Sequence, residues 1–335
     1  MTAVLRVVQG ILGLTRPTSE GIACFSVNTA AGRVALKEIL GNPRRLILLL
    51  DLDGSFWKPV RWPEYPKVLC HLPKLLSALG RRRFYMVAYL TGRAAEQLNL
   101  FGMLPKGVVA WCQFGAQRWQ DGKTVDLVQK PSGLAEAVSD MEDDYTVERK
   151  THAVAVHWLS TLVKEEVARL CARLQKRAEE HGLAFHPGNL VGEFSVPGLS
   201  KKVSAAAFAR QFLPEEVLKE LVDTFSEIER SVYEEIWASL GAAGDRVVPP
   251  KDWPYFVYVG DSAPDEGVFT VLDYLRDLGI PVLKVAVKSG YEPLEARADR
   301  VVDGPDGALQ FVRELEIHTA PWWERILRRG LGLVA

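Results

Sequence analysis

Three apolar runs that break off into polar turns constrain this chain most. LILLL (residues 46 to 50) runs into DLDGS, FYMVAYL (residues 84 to 90) into TGR, and YFVYVG (residues 255 to 260) into DSAPDE. An uninterrupted apolar stretch of that length, bounded by turn residues, reads as a strand buried on both faces, as in parallel sheets. Helix-periodic segments separate the runs, for example LPKLLSALG before the second and DEGVFTVLDYLRDLG after the third. The pattern is that of βαβ units and predicts an α/β chain with a doubly wound, Rossmann-like parallel-sheet core. Open sheets of this kind hold ligands beyond the carboxyl ends of their strands, where this sequence gathers its polar residues.

The rest of the chain divides around that core. The core is expected over 46–115 and 196–315. Between them, residues 116–195 change to short alternating stretches such as AVAVHW and a helix-like run, KEEVARLCARLQKRAEEHG, which predicts an inserted, smaller α/β cap domain. A charged helical insertion is expected over 206–250. Residues 1–45 form an N-terminal extension, and residues 316–335 an amphipathic, basic tail.

With 335 residues there is room for two domains and these additions. Forty-one basic side chains against 42 acidic ones leave a formal charge of -1. Nothing global therefore draws the chain to nucleic acid or to an anionic membrane, and an anionic ligand must be held by local groups. Cys24, Cys70, Cys112 and Cys171 lie far apart without CxxC spacing, which argues against zinc and against a disulfide framework and fits a reducing, cytoplasmic compartment. Arg6 interrupts the apolar start, so no signal peptide is read, and no apolar run is long enough to span a bilayer.

Asp51 and Asp53 stand two apart after a buried strand, and in extended chain such residues point the same way. Two carboxylates at one spot can divide labour, the first attacking phosphorus and the second protonating the leaving oxygen, then activating water. The same DxDG could equally form an Asx-turn. Thr91, Gly92 and Arg93 could cradle phosphoryl oxygens, although Thr91 could simply cap a helix. Lys201 or its neighbour Lys202 could offset transition-state charge. Asp261 and Asp265, with Asp51 and the Asp53 backbone carbonyl, offer the oxygen ligands that Mg2+ prefers, or they cap a helix.

In their order along the chain, these elements resemble the four motifs of the haloacid dehalogenase superfamily of phosphatases: Asp51 with Asp53, Thr91, Lys201, and Asp261 with Asp265. The resemblance implies a Mg2+-dependent phosphatase, with the insertion acting as a substrate-recognising cap. A narrower resemblance is to the trehalose-6-phosphate phosphatases. LDLDGSF is similar to their first motif, with Ser55 where they usually have Thr. ERKTHAVAVHW places Glu148, Lys150 and His157 at matching positions, with Trp158 and Leu159 as departures. GEFSVPGLSK matches Glu193 and Lys201, with Lys202 replacing a glycine. GDSAPDE has Ser262 in place of an acid, and Phe114-Gly115-Ala116 stands for a His-Gly-Ala segment.

The likeness implies Glu148, Lys150, His157 and Glu193, with Gly92, Arg93 and Gly115, as sugar-phosphate ligands. A carboxylate accepts from sugar hydroxyls and an ammonium donates to them. Glu148 with Lys150 could instead form a cross-strand ion pair, and His157 a core histidine. The expected substrate is trehalose 6-phosphate, with mannosyl-phosphoglycerate or sucrose phosphate as alternatives. A catalytically silent sugar-phosphate-binding subunit, or a phosphomutase, is the reading from another class. The N-terminal extension or the helical insertion is the expected contact for a homo-oligomer or a synthase partner, and linkers near 115 and 196 are the expected hinges.

Overall fold

A computed structural model describes residues 27–41, 46–58, 71–81, 85–158, 161–188, 190–241, 253–318 and 320. The expected N-terminal extension up to residue 26 and most of the C-terminal tail lie outside them.

All five residues of β1 (Leu46–Leu50) are buried. It pairs in parallel with β2 (Tyr85–Leu90), and β2 with β3 (Val108–Cys112). The chain then turns back in an antiparallel hairpin of β4 (Gln117–Gln120) and β5 (Lys123–Asp126) along the edge of β3. A separate antiparallel sheet holds β6 (Thr146–Arg149), β7 (Val154–His157), β8 (Ala184–Gly188) and β9 (Val191–Ser195), in the order β6-β7-β9-β8. Three more strands, β10 (Tyr255–Gly260), β11 (Val282–Val287) and β12 (Arg300–Val302), complete the first sheet. Its order is β12-β11-β10-β1-β2-β3-β4-β5.

Alternate residues of the parallel strands feed two layers of core, as a pleated backbone requires. Leu46, Leu48 and Leu50 pack with α1 (Ala30–Gly41), α2 (Leu72–Gly80) and α3 (Ala95–Leu100) on one face. The cap helix α4 (Lys164–Glu180) covers the smaller sheet through Leu170, Leu174 and Ala178. Ile47 and Leu49 face α5 (Lys201–Arg210), α6 (Glu215–Asp223), α7 (Glu227–Ser239) and α8 (Ala263–Asp277). The short α9 (Glu292–Arg297) and the closing helix α10 (Gly304–His318) follow, with Phe311, Val312 and Leu315 of α10 in the first layer. Helices on both faces of a mostly parallel sheet make the core doubly wound, as expected. Among the described residues no helix is long and apolar enough to cross a membrane.

Three expected boundaries need correction. The cap does not begin at residue 116, because β4 and β5 hydrogen-bond into the core sheet and Leu127 N donates to Ala116 O at 2.7 Å. Leu127 and Val128 still belong to the core, and Gln129 N is held by Glu235 Oε1 at 2.6 Å. The presumed extension is not peripheral where it is described: Val27, Ala35, Leu36 and Ile39 are buried, and Asn28 and Thr29 hydrogen-bond to Asp299. Nor is residue 206 the start of an insertion, since it lies inside α5, whose residues Val203 to Ala209 are all buried in the core.

Candidate active site

The carboxyl ends of β1 and β10 meet at Asp51, whose N–H donates to Val259 O at 2.9 Å and so extends the parallel ladder by one residue. The Asp51 side chain is buried, and its Oδ1 accepts from Lys201 Nζ at 2.6 Å. The same ammonium reaches Asp265 Oδ1 at 2.7 Å. Lys201 is the first residue of α5, whose Ser200 cap accepts from Val203 N, so the helix start aims the side chain at the strand ends. Lys202 turns away, toward Glu229 at 3.6 Å and the Phe225 ring. The lysine beside Asp51 is therefore Lys201.

Asp265 is held from every side. Tyr258 OH donates to its Oδ1 at 2.6 Å, and the N–H groups of Asp261 and Ser262 both reach its Oδ2 at 2.9 Å. It thus caps α8 and anchors Lys201 at once. Asp261 comes close to Asp51 through Ser55, whose hydroxyl lies 3.1 Å from Asp51 Oδ2 and 3.3 Å from Asp261 Oδ1. Gly54 makes this possible: at φ 85° it adopts the left-handed region, and a Cβ there would fall 2.0 Å from Asp261 Oδ2. One ligand oxygen from each of Asp51, Asp261 and Asp265 lies within 4.8 Å of the others.

Three buried carboxylates facing one ammonium leave unbalanced negative charge. Burial, with the charges of Asp51 and Asp265, pushes the Asp261 carboxyl up to about 9. Burial likewise pushes Asp51 up to about 6, against the pull of Lys201. Burial works on Asp265 in the same direction, but Lys201, Tyr258 and the backbone donors outweigh it and hold it below its ordinary value. Lys201 itself stays above its ordinary value because the two carboxylates overcome its desolvation.

The two motif aspartates do not converge on one partner. Asp53 Oδ2 accepts from Arg93 Nε at 2.8 Å, and its Oδ1 from Arg93 Nη2 at 2.7 Å and Trp57 Nε1 at 2.8 Å. The reason is the sharp turn at Gly54, which folds Trp57 back onto Asp53 as an isolated bridge instead of extending the strand. Thr91 Oγ1 accepts from Arg93 N at 3.2 Å, so the Thr91–Arg93 loop is folded on itself beside Asp53.

The cap supplies the opposite wall. Glu148, Ala155, Glu193 and His186 form one row across its sheet, and that face is polar. Alternate residues Val154, Val156 and Phe194 turn to the other side and pack with Leu170 and Leu174 of α4. The polar face meets the core: Lys150 Nζ donates to Gly92 O at 3.1 Å and Gln97 Nε2 donates to Glu148 Oε1 at 2.6 Å. Lys150 also pairs with Glu193, and His157 Nε2 lies 2.9 Å from Glu148 Oε2. Burial would raise the Glu148 carboxyl, yet His157 and Lys150 outweigh it and bring it down to about 2. Glu193 Oε1 is buried and finds no hydrogen-bond partner among the described residues.

No protein-family model and no curated protein matches the sequence. Solved structures do match in shape. The trehalose-6-phosphate phosphatase C-terminal domain of C. albicans is similar with a TM-score of 0.64 and 16% identity, over 87% of this chain and 99% of that one. A haloacid dehalogenase-like hydrolase from Bacteroides thetaiotaomicron is similar with a TM-score of 0.50 and 11% identity, over 81% of this chain and 100% of that one. The fold is haloacid dehalogenase-like. The trehalose synthase regulatory protein C-terminal domain of Candida albicans shares it, with a TM-score of 0.59 and 15% identity over 84% of this chain and 97% of that one.

On this haloacid dehalogenase-like frame the structure brings together Asp51, Lys201, Asp261 and Asp265 in one cluster and Glu148, Lys150, His157 and Glu193 in a second. Gly92 and Arg93 lie at the seam between them. Gly115 does not face the site: at φ 102° it lets the backbone approach α5, where a Cβ would fall 2.0 Å from Ser204 Oγ. Sequence reasoning gave no role to Trp57, Gln97, Tyr258 and His186, and named Ser55 only as a departure from the resembled motif. Ser55 sits inside the DxDGS turn and was open to the same reading as its neighbours. Gln97 looked like part of an ordinary helix, where it does accept from Ala94 N at 3.0 Å; its other end reaches the cap. Trp57, Tyr258 and His186 carry no local signal, since their partners lie across turns or strands.

Proposed function

We propose that the chain is a phosphomonoesterase for a sugar phosphate, with trehalose 6-phosphate the first candidate, working through a phosphorylated Asp51. The observation that carries this reading is the buried cluster in which Asp51 is held by Lys201 beside Asp261 and Asp265, opposite a cap face of Glu148, Lys150 and Glu193.

Residues Asp51, Asp261 and Asp265 fit a divalent cation. Their crowded carboxylates are exactly short of positive charge, and oxygen-only donors suit Mg2+. When bound, the ion would supply Lewis-acid polarisation of the phosphoryl oxygens. Asp51 attacks phosphorus in line with the departing sugar oxygen, and Lys201 offsets the charge that builds on the phosphoryl group. Asp53 gives its proton to the sugar oxygen as the sugar leaves, then takes a proton from the water that attacks phosphorus, which breaks the bond to Asp51 and releases phosphate. Protonation takes away the charge and one acceptor lone pair of Asp53, which weakens its paired bonds from Arg93 and lets the guanidinium come away. Freed, the guanidinium fork suits a phosphoryl oxygen pair. Glu193 Oε1, buried and without a hydrogen-bond partner among the described residues, suits a sugar hydroxyl, because such atoms are normally satisfied.

The test is phosphate release from a panel of phosphorylated sugars, with and without Mg2+, beside Asp51→Asn. Turnover that needs Mg2+, is strongest on trehalose 6-phosphate and is lost in Asp51→Asn is expected. Preference for another sugar phosphate would keep the chemistry and discard that substrate. A second reading is a sugar-phosphate-binding subunit without turnover, supported by the likeness to a regulatory protein domain. Tight binding with no phosphate release from any member of the panel would establish it instead.

A further inference from the structure

Besides its polar groups, the seam between core and cap holds an aromatic plate. Phe114 is a half-buried aromatic residue at φ 57°, in the left-handed region that bulky side chains avoid. Strain of that kind persists only where the surroundings enforce it. Here Phe114 N donates to Thr91 O at 2.9 Å, Phe114 O accepts from Ser204 Oγ at 2.5 Å, and the preceding Gln113 N donates to Arg93 O at 3.0 Å. Gln113 shares the conformation, at φ 51°, and its side-chain oxygen accepts from His152 N at 2.8 Å.

The turn is thereby fastened to the Thr91–Arg93 loop, and its ring is set over Gly92. A Cβ on Gly92 would come within 2.9 Å of Phe114 Cζ. From the cap, His186 meets the same ring with centroids 6.0 Å apart, its own Nε2 tied to Ser195 Oγ at 2.9 Å. Lys150 donates to Gly92 O beneath it. The ring thus touches the core at Gly92 and the cap at His186, whose strand position continues the Glu148–Glu193 row.

We infer that Phe114, braced by His186, is a specificity-determining residue that stacks on the C–H face of a pyranose ring while the cap carboxylates and Lys150 take its hydroxyls. Sugars have both surfaces, and the apolar C–H face of a pyranose is matched by an aromatic plate and not by the polar groups around it. The inference rests on the sugar-phosphatase reading above. The ring also packs on the core, and what core packing alone does not require is its contact with a cap residue.

The experiment compares kcat and KM for the best sugar phosphate and for acetyl phosphate, which has no ring, in wild type, Phe114→Leu and Phe114→Tyr. Loss of the ring in Phe114→Leu should raise KM for the sugar phosphate about tenfold, with kcat moving less, and lower the sugar-to-acetyl ratio of kcat/KM by a similar factor. Phe114→Tyr keeps the ring and should hold that ratio within about threefold of wild type. Should leucine at this backbone position prevent folding, Phe114→Asn, which the left-handed region tolerates, reads the same ratio. Equal behaviour of the leucine and tyrosine variants, or an unchanged ratio in both, overturns the inference and leaves the phosphatase reading intact. Wild-type turnover of acetyl phosphate with none of any sugar phosphate overturns both.

Discussion

Replacing Lys201 by methionine keeps the length of the side chain and removes its charge. The ammonium serves two carboxylates, Asp51 at 2.6 Å and Asp265 at 2.7 Å, and all three groups are buried. Removing one partner of a buried ion pair costs about 3–5 kcal/mol, because a charge is left uncompensated. Asp265 keeps Tyr258, the Ser262 hydroxyl and two backbone N–H groups, whereas among the described residues Asp51 keeps the Ser55 hydroxyl at 3.1 Å as its side-chain donor. The loss is thus that of roughly one stranded carboxylate, near the lower end, about 3 kcal/mol at neutral pH.

The sign of the pH dependence follows from the carboxylates. In wild type the raised Lys201 value means its contribution is fully present below its ordinary pKa, so between pH 5 and 8 it is constant. In the variant the charge that pulled Asp51 and Asp265 down is gone, and both move upward. A carboxyl group raised in the folded state stabilises at low pH and loses that contribution as pH rises. Lys201→Met should therefore lose about 3 kcal/mol at pH 7.5, a fall of about 5–10 °C in Tm, and recover most of it at pH 5. Thermal and urea unfolding in EDTA at both pH values measure this. A loss under about 1 kcal/mol at pH 7.5, or one equal at both pH values, would refute the argument.

Three further outcomes are expected. Gly54→Ala puts a Cβ against the Asp261 carboxylate at a positive φ, so turnover should fall by at least about a hundredfold and Tm should drop, whereas normal kinetics would show that the turn can relax. Because Asp51 is pushed up to about 6 and Asp261 to about 9, Mg2+ must displace protons at low pH, and the Mg2+-induced rise in Tm should be larger at pH 8 than at pH 6; an equal or reversed difference would argue against these ligands. Phe194→Ala empties the fully buried cap core, at a cost of about 3–5 kcal/mol, and limited proteolysis should then cut within 131–195 before the core; uniform cleavage would show that the cap does not unfold by itself.

The parallel core was legible because its strands are apolar on both faces, as at Leu46 to Leu50, and each ends in a change of polarity. The order of Asp51, Lys201, Asp261 and Asp265 along the chain pointed to residues that the structure does bring together. Other features depend on contacts distant in sequence. QRWQ and KTVD look like any polar alternating stretch, and only pairing with β3 assigns them to the core. The separation of Asp51 from Asp53 depends on the fold-back of Trp57, which strand periodicity does not encode. Lys201 and Lys202 were indistinguishable as neighbours, and the helix start separates them by turning one inward and one out.

The hairpin of β4 and β5 has a consequence for solubility. A parallel sheet ending at β3 would leave an apolar strand, VVAWC, with a free row of N–H and C=O groups, a template on which another copy could add a strand. Instead the last strand on that side is four exposed residues long, opening with Lys123 and closing with Asp126. A short outer strand charged at both ends gives an incoming chain little to pair with, so the buried sheet that carries the Asp51 cluster is also guarded against self-association along this edge.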